Sequence, residues 1–201
     1  MQLVGRLLSP FVRRVAATLN IYGLPYESLP LSTITDGAAI LAMNPVGRVP
    51  ALVLDGGEVL VDSAAIIDHL DELAGDAALT PRAGDDRRAV MRAVAIGLGA
   101  TEKAVAAFYE GQRRPEGLCW TEGLAGLQTQ AQGGLGALEA MLDGDFLCLG
   151  RLTQADLTAA IGHDFAARVS PDLIEGRYPR LAALAARLNG DPRIGETQFR
   201  S

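Results

Sequence analysis

This chain has very little with which to hold a metal, read a nucleic acid or cross a membrane. Its 201 residues include two cysteines, Cys119 and Cys148, and two histidines, His69 and His163. No Cys-x-x-Cys pair occurs, which argues against a dithiol redox centre or a cysteine zinc site. The histidines lie apart with no acid at a diagnostic spacing; they read as core-edge or surface residues, and no metal is expected. Lysine is nearly absent, since Lys103 stands alone beside 17 arginines in a chain of net charge −6. The arginines are scattered, so neither a nucleic acid nor an anionic membrane is an expected partner. No apolar run approaches the ~18 residues that a membrane span needs. The first residues also lack the charged-then-apolar layout of a secretory leader, so a cytoplasmic location is expected. Aromatics make up 5% of the chain against 49% apolar residues. The core must therefore be built from Ala, Leu, Val and Ile.

Periodicity divides what remains into two halves. Residues 2–5 read as a short strand. Ser9-Pro10 opens a helix with Phe11, Val12, Val15, Ala16 and Leu19 on one face, ended near Gly23 and Pro25. Arg13 and Arg14 would then lie on its outer face. Residues 26–30 read as a second strand and residues 36–43 as a short helix closed by Asn44-Pro45. Pro50 cannot donate to a ladder and heads a third strand, residues 51–54; Asp55-Gly56-Gly57 turns it into a fourth, residues 59–61. Asp62 or Ser63 can cap the next helix, whose apolar residues are Ile66, Ile67, Leu70 and Leu73. The order is βαβαββα, and a strand-helix-strand series implies a right-handed parallel pair extended by the hairpin. That is thioredoxin-like topology.

Beyond Gly75 the pattern holds helices only. The expected division is residues 1–75, a linker at 76–86, and an all-helical domain at 87–201, giving an α+β protein. Val90, Met91, Val94, Leu98, Val105 and Phe108 mark one long helix; Leu124, Leu127, Ala131, Leu135, Leu138 and Leu142 mark another. Thr153 and Asp156 form a capping box ahead of Leu157 and Ile161. A last helix carries Leu181, Leu184 and Leu188. Gly97, Gly99, Gly133, Gly134 and Gly136 each cost about 1 kcal/mol in a helix interior, for close helix contact or for flexibility. Trp120, Phe108 and Tyr109 read as core or interface.

The run from Asn44 to Leu70 resembles the N-terminal domain of the cytosolic glutathione S-transferase superfamily. The resemblance rests on Val49-Pro50, the hairpin and Asp62-Ser63 in that order and spacing. Ser-Pro-Phe-Val-Arg-Arg-Val, from Ser9, is similar to the start of bacterial members with Ser at this site. It implies a cis Val49-Pro50 peptide and a Val49 backbone that pairs with the cysteinyl residue of glutathione. Asp62 and Ser63 would hold the γ-glutamyl end, and Arg48 would approach the glycyl carboxylate. It also implies glutathione as co-substrate, a small hydrophobic electrophile in a cleft lined by Leu7, Leu8 and residues 104–108, and a homodimer. The implied activity is conjugation of glutathione to that electrophile, a detoxifying reaction. A non-catalytic glutathione-binding or regulatory protein and a glutathione-dependent isomerase or dehalogenase share the same scaffold.

Chemically, Ser9 is the candidate catalytic residue. Its hydroxyl could donate to the glutathione sulfur while the helix dipole adds positive potential, and both favour the nucleophilic thiolate. One hydrogen bond to a charged acceptor contributes about 1.5–3 kcal/mol, or about one to two pKa units. A serine before a proline is equally an ordinary helix cap, as Ser63 could be. Position 9 is not Cys, which disfavours glutaredoxin-like chemistry.

Overall fold

In a computed structural model that describes residues 1–199, the four expected strands form one mixed sheet. They are β1 (Gln2–Val4), β2 (Glu27–Leu29), β3 (Ala51–Val53) and β4 (Val59–Val61), in the order β2-β1-β3-β4. The β1–β2 pair is parallel, while β3 runs antiparallel to both β1 and β4. The helices between them are α1 (Pro10–Tyr22), α2 (Gly37–Met43) and α3 (Ser63–Ala74). Helix α1 starts at the Ser9 cap with Pro10 in its first turn and stops at Gly23, whose φ of 67° suits a residue without Cβ. Leu3, Leu52, Val12, Val15, Leu19, Ile66, Ile67 and Leu70 fill the core between sheet and helices. Leu73, expected on the apolar face of α3, is instead exposed.

Two compact units are distinguishable. One comprises Met1–Leu79 with Asn189–Ser201, and the other Thr80–Leu188. The sequence places residue 189 onward with the helical domain, but in the structure residues 189–199 pack with the first unit. The reason lies in α1. Arg13 is buried, donating through Nη2 to Asn189 Oδ1 at 2.6 Å and through Nε to Thr197 Oγ1 at 3.4 Å. Asn20 Nδ2 donates to the Arg193 carbonyl at 2.9 Å, and Ile194 is buried. The arginine pair therefore does not sit on an outer face.

The second unit holds α4 (Gly84–Gln112), α5 (Thr121–Met141), α6 (Gln154–Val169) and most of α7 (Pro179–Asn189); a short α8 (Pro192–Gly195) follows in the first unit. Thr153 and Asp156 do form the capping box of α6. Buried Asp156 accepts from the Thr153 amide, the Thr153 hydroxyl and the Leu147 amide at 2.7–2.8 Å. Two of the helix glycines sit at close contacts. A Cβ on Gly134 would stand 2.7 Å from Ala100 Cβ, and one on Gly97 would stand 3.0 Å from Thr158 Cγ2. Gly99 and Gly133 face open space. Trp120 and Tyr109 are exposed, which excludes the core half of their expected core-or-interface placement, and Met91 of α4 is exposed as well. The largest fully buried side chains are Leu, Ile and one Gln, as the scarcity of aromatics requires.

Candidate functional site

The sequence-predicted site residues all fall in the first unit, at three adjoining chain segments. Ser9 ends the β1–α1 loop, half-buried, with its backbone N donating to the Arg6 carbonyl at 2.9 Å. Its Oγ accepts from the Val12 amide at 3.4 Å. Val49 lies against the same loop. A Cβ on Gly5 would stand 2.6 Å from Val12 Cγ2 and 2.9 Å from Val49 Cβ, so only glycine, here at φ 123°, lets the three chain segments meet.

The Val49–Pro50 peptide is cis. The Val49 amide and carbonyl enter neither the ladder nor any turn bond among the described residues. They remain available to an extended ligand. The loop ahead of them is fixed by a residue that the sequence marks only as a helix stop. Buried Asn44 donates from Nδ2 to the Arg48 carbonyl at 2.8 Å and accepts at Oδ1 from the Val46 amide at 3.0 Å. Those bonds leave the Arg48 side chain exposed and orient the backbone that leads to Val49.

Asp62 and Ser63 begin α3. Asp62 is exposed, adopts φ 69°, and caps the helix by accepting from the Ala64 amide at 2.8 Å. Ser63 is buried, and its Oγ accepts from Arg14 Nη1 at 3.3 Å. The bond to Arg14 ties the start of α3 to α1, the helix that Ser9 caps. Burial lowers the Arg14 guanidinium to about 10 from its ordinary value, against the opposing carboxylates of Asp62 and Asp71. Asp71 accepts from the Tyr22 hydroxyl, which itself accepts from the Leu79 amide at 2.7 Å. Asp71 is therefore a partnered group.

The segments thus offer an unpaired strand edge at Val49, two helix N-termini, and a hydroxyl at each. Helix N-termini favour anions, and an unpaired edge favours an extended peptide. Among the described residues no group of His, Cys, Asp or Glu could hold a metal ion, and no helix is long and apolar enough to cross a membrane.

Residues 3–78 match the family described as the N-terminal domain of glutathione S-transferase. The chain is 35% identical over 161 residues to a maleylacetoacetate isomerase of Rhizobium meliloti, covering 72% of this chain and 71% of that protein. It is 52% identical over 64 residues to the Pseudomonas aeruginosa protein of the same name. That match spans 29% of this chain and only 30% of the relative's own length. Among solved structures, a glutathione transferase family member from Pseudomonas fluorescens with bound glutathione superposes with a TM-score of 0.90 at 28% identity. It covers 100% of this chain and 99% of that one.

Proposed function

The chain belongs to the cytosolic glutathione S-transferase superfamily, and from that premise we propose that it is a glutathione transferase. The observation that carries this reading is the unpaired Val49 backbone meeting, through Gly5, the α1 start that bears Ser9. The cysteinyl residue of glutathione pairs with Val49. Its γ-glutamyl carboxylate takes the Ser63 hydroxyl and amide, Asp62 faces its amine, and Arg48 approaches the glycyl carboxylate. Its sulfur then lies beside Ser9. The hydroxyl has one proton and two lone pairs, so it can accept from the Val12 amide and still donate to sulfur. Capping and catalysis are compatible there.

Catalysis rests on proximity and on a lowered thiol pKa. A free cysteine thiol titrates near about 8.5, so one such hydrogen bond yields a substantial thiolate fraction at neutral pH. The thiolate attacks a small hydrophobic electrophile, a carbon–sulfur bond forms, and the leaving group departs. Calorimetric titration with glutathione tests the reading. Charge reversal at Asp62 (Asp62→Lys) weakens binding about 2- to 30-fold if the γ-glutamyl amine sits there, an exposed attraction lost and a like repulsion added; unchanged affinity removes that placement. Binding with no turnover on any electrophile would assign a non-catalytic role, with the chain acting as a glutathione-binding or regulatory protein.

A second reading draws on the 161-residue likeness to a maleylacetoacetate isomerase. Here the thiolate adds to an alkene carbon conjugated with a carbonyl, and the electron pair moves to the oxygen as an enolate. Rotation follows about the new single bond; the enolate then collapses and expels the thiolate. The alkene is isomerised and glutathione returns unchanged. Thiol counting separates the two: conjugation consumes one glutathione per product, whereas isomerisation consumes none. We further propose a homodimer in the cytoplasm, which sedimentation and fractionation test.

A further inference from the structure

Arg14 is the most deeply buried arginine of the described residues, only 3% exposed, and it lies behind the first residue of α3. Its Nη1 donates to Ser63 Oγ at 3.3 Å, and its Nε has no hydrogen-bond partner among the described residues. We propose that Arg14 is a positioning residue that turns the Ser63 hydroxyl toward the α-carboxylate of a γ-glutamyl ligand and supplies the charge that selects it. This rests on the glutathione placement proposed above.

The argument is one of hydrogen-bond capacity. A serine hydroxyl carries one proton and two acceptor sites. With Nη1–H on its acceptor side, the Ser63 proton points away from the guanidinium. Ser63 is also the first residue of α3, so its amide is among the N–H groups that have no partner within the helix. Hydroxyl and amide can then both serve one anion at the start of α3.

Beneath them lies a cation that water does not screen, as it would an exposed arginine. Two carboxylates face that cation. Asp62 is exposed and already caps Ala64, and Asp71 accepts from Tyr22. Neither compensates it fully, since burial holds the guanidinium at about 10 despite both. A ligand carboxylate at Ser63 answers the remaining charge. A mere strut between α1 and α3 would contribute stability without preferring a carboxylate over an amide, and this difference is measurable.

Calorimetry on the full chain with glutathione, and with its analogue bearing a carboxamide in place of the α-carboxylate, is the test. Unfolding melts accompany each variant. Wild type is expected to prefer glutathione about 10- to 100-fold, the worth of one charge-assisted hydrogen bond. Arg14→Met is expected to reduce the preference to within about threefold, and to add no further loss in a Ser63→Ala background. Arg14→Lys retains a charge, is the variant better suited to fold, and replaces the planar fork by a compact ammonium. It is expected to keep much of the preference, whereas Arg14→Gln, a neutral donor, is expected to lose it as Arg14→Met does. A folded Arg14→Gln or Arg14→Met protein with the wild-type preference overturns the proposal. If Ser63→Ala weakens glutathione while Arg14→Gln keeps the full preference, Arg14's role alone fails. If Ser63→Ala binds glutathione as wild type does, the ligand is not at α3 and both readings fail.

Discussion

The Ser9 hydroxyl oxygen accepts the Val12 amide proton at 3.4 Å, which makes Ser9 the cap of α1 while its own proton stays free to donate. Replacing it therefore has two separable effects. Ser9→Ala is expected to lose about 1 kcal/mol of stability, as caps do, whereas Ser9→Gly loses only about a few tenths. Both are expected to lower kcat/KM about 10- to 100-fold, because both remove the donor to sulfur. Melts and steady-state kinetics on the pair decide it. Activity that follows stability, with Ser9→Gly near wild type, would leave Ser9 as a cap only.

Asn44 holds the approach to Val49 through bonds to the Arg48 carbonyl and the Val46 amide. Asn44→Ala leaves those groups without their side-chain partner, a cost of about 1–3 kcal/mol each where they are shut from water. The expected result is a raised glutathione Kd with the thiol's acidity in the complex unaltered, because Ser9 lies on another segment. Calorimetry across pH measures both.

Adjacent glycines on α5 are expected to respond in opposite directions. Gly133→Ala faces open space and should add about 0.5–1 kcal/mol through helix propensity. Gly134→Ala drives a methyl to 2.7 Å from Ala100 Cβ, and overpacking of that kind costs about 1–3 kcal/mol. Denaturant unfolding of the two variants compares them directly. Equal effects would mean that Gly134 of α5 does not pack closely against Ala100 of α4.

Asp156 holds both the α6 start and the Leu147 amide while fully buried. Asp156→Ala orphans three buried donors and is expected to cost about 3 kcal/mol or more, read by urea unfolding. Asp156→Asn keeps an acceptor oxygen and should recover part of that loss.

The fold was readable in the sequence wherever periodicity and punctuation agreed. Pro50 marked the head of β3, Asp55-Gly56-Gly57 the hairpin, and Thr153 with Asp156 the start of α6. Burial of polar side chains was not readable in the same way. Arg13 and Arg14 look like an outer face because charge predicts exposure. Asn189, Thr197 and Ser63, whose side chains bury them, lie 49 to 184 residues away in the chain. Asn44 looked like a helix stop before Pro45, which it is, yet its side chain also fixes the loop to Val49. The pairing of residues 189 and 197 with α1 had no local signal at all. Trp120 ran the other way: a large aromatic suggested core or interface, and it lies 67% exposed in the single chain, which leaves only the interface reading.

The account turns on a thiol made acidic beside Ser9, and the thiolate absorbance of the glutathione complex, titrated from acid to alkaline pH, tests it most directly. In wild type the bound thiol should titrate about one to two units below the free thiol's value near 8.5. In Ser9→Ala it should return most of the way to that value. Identical curves for the two proteins, or a bound thiol that titrates as free glutathione does, would contradict it.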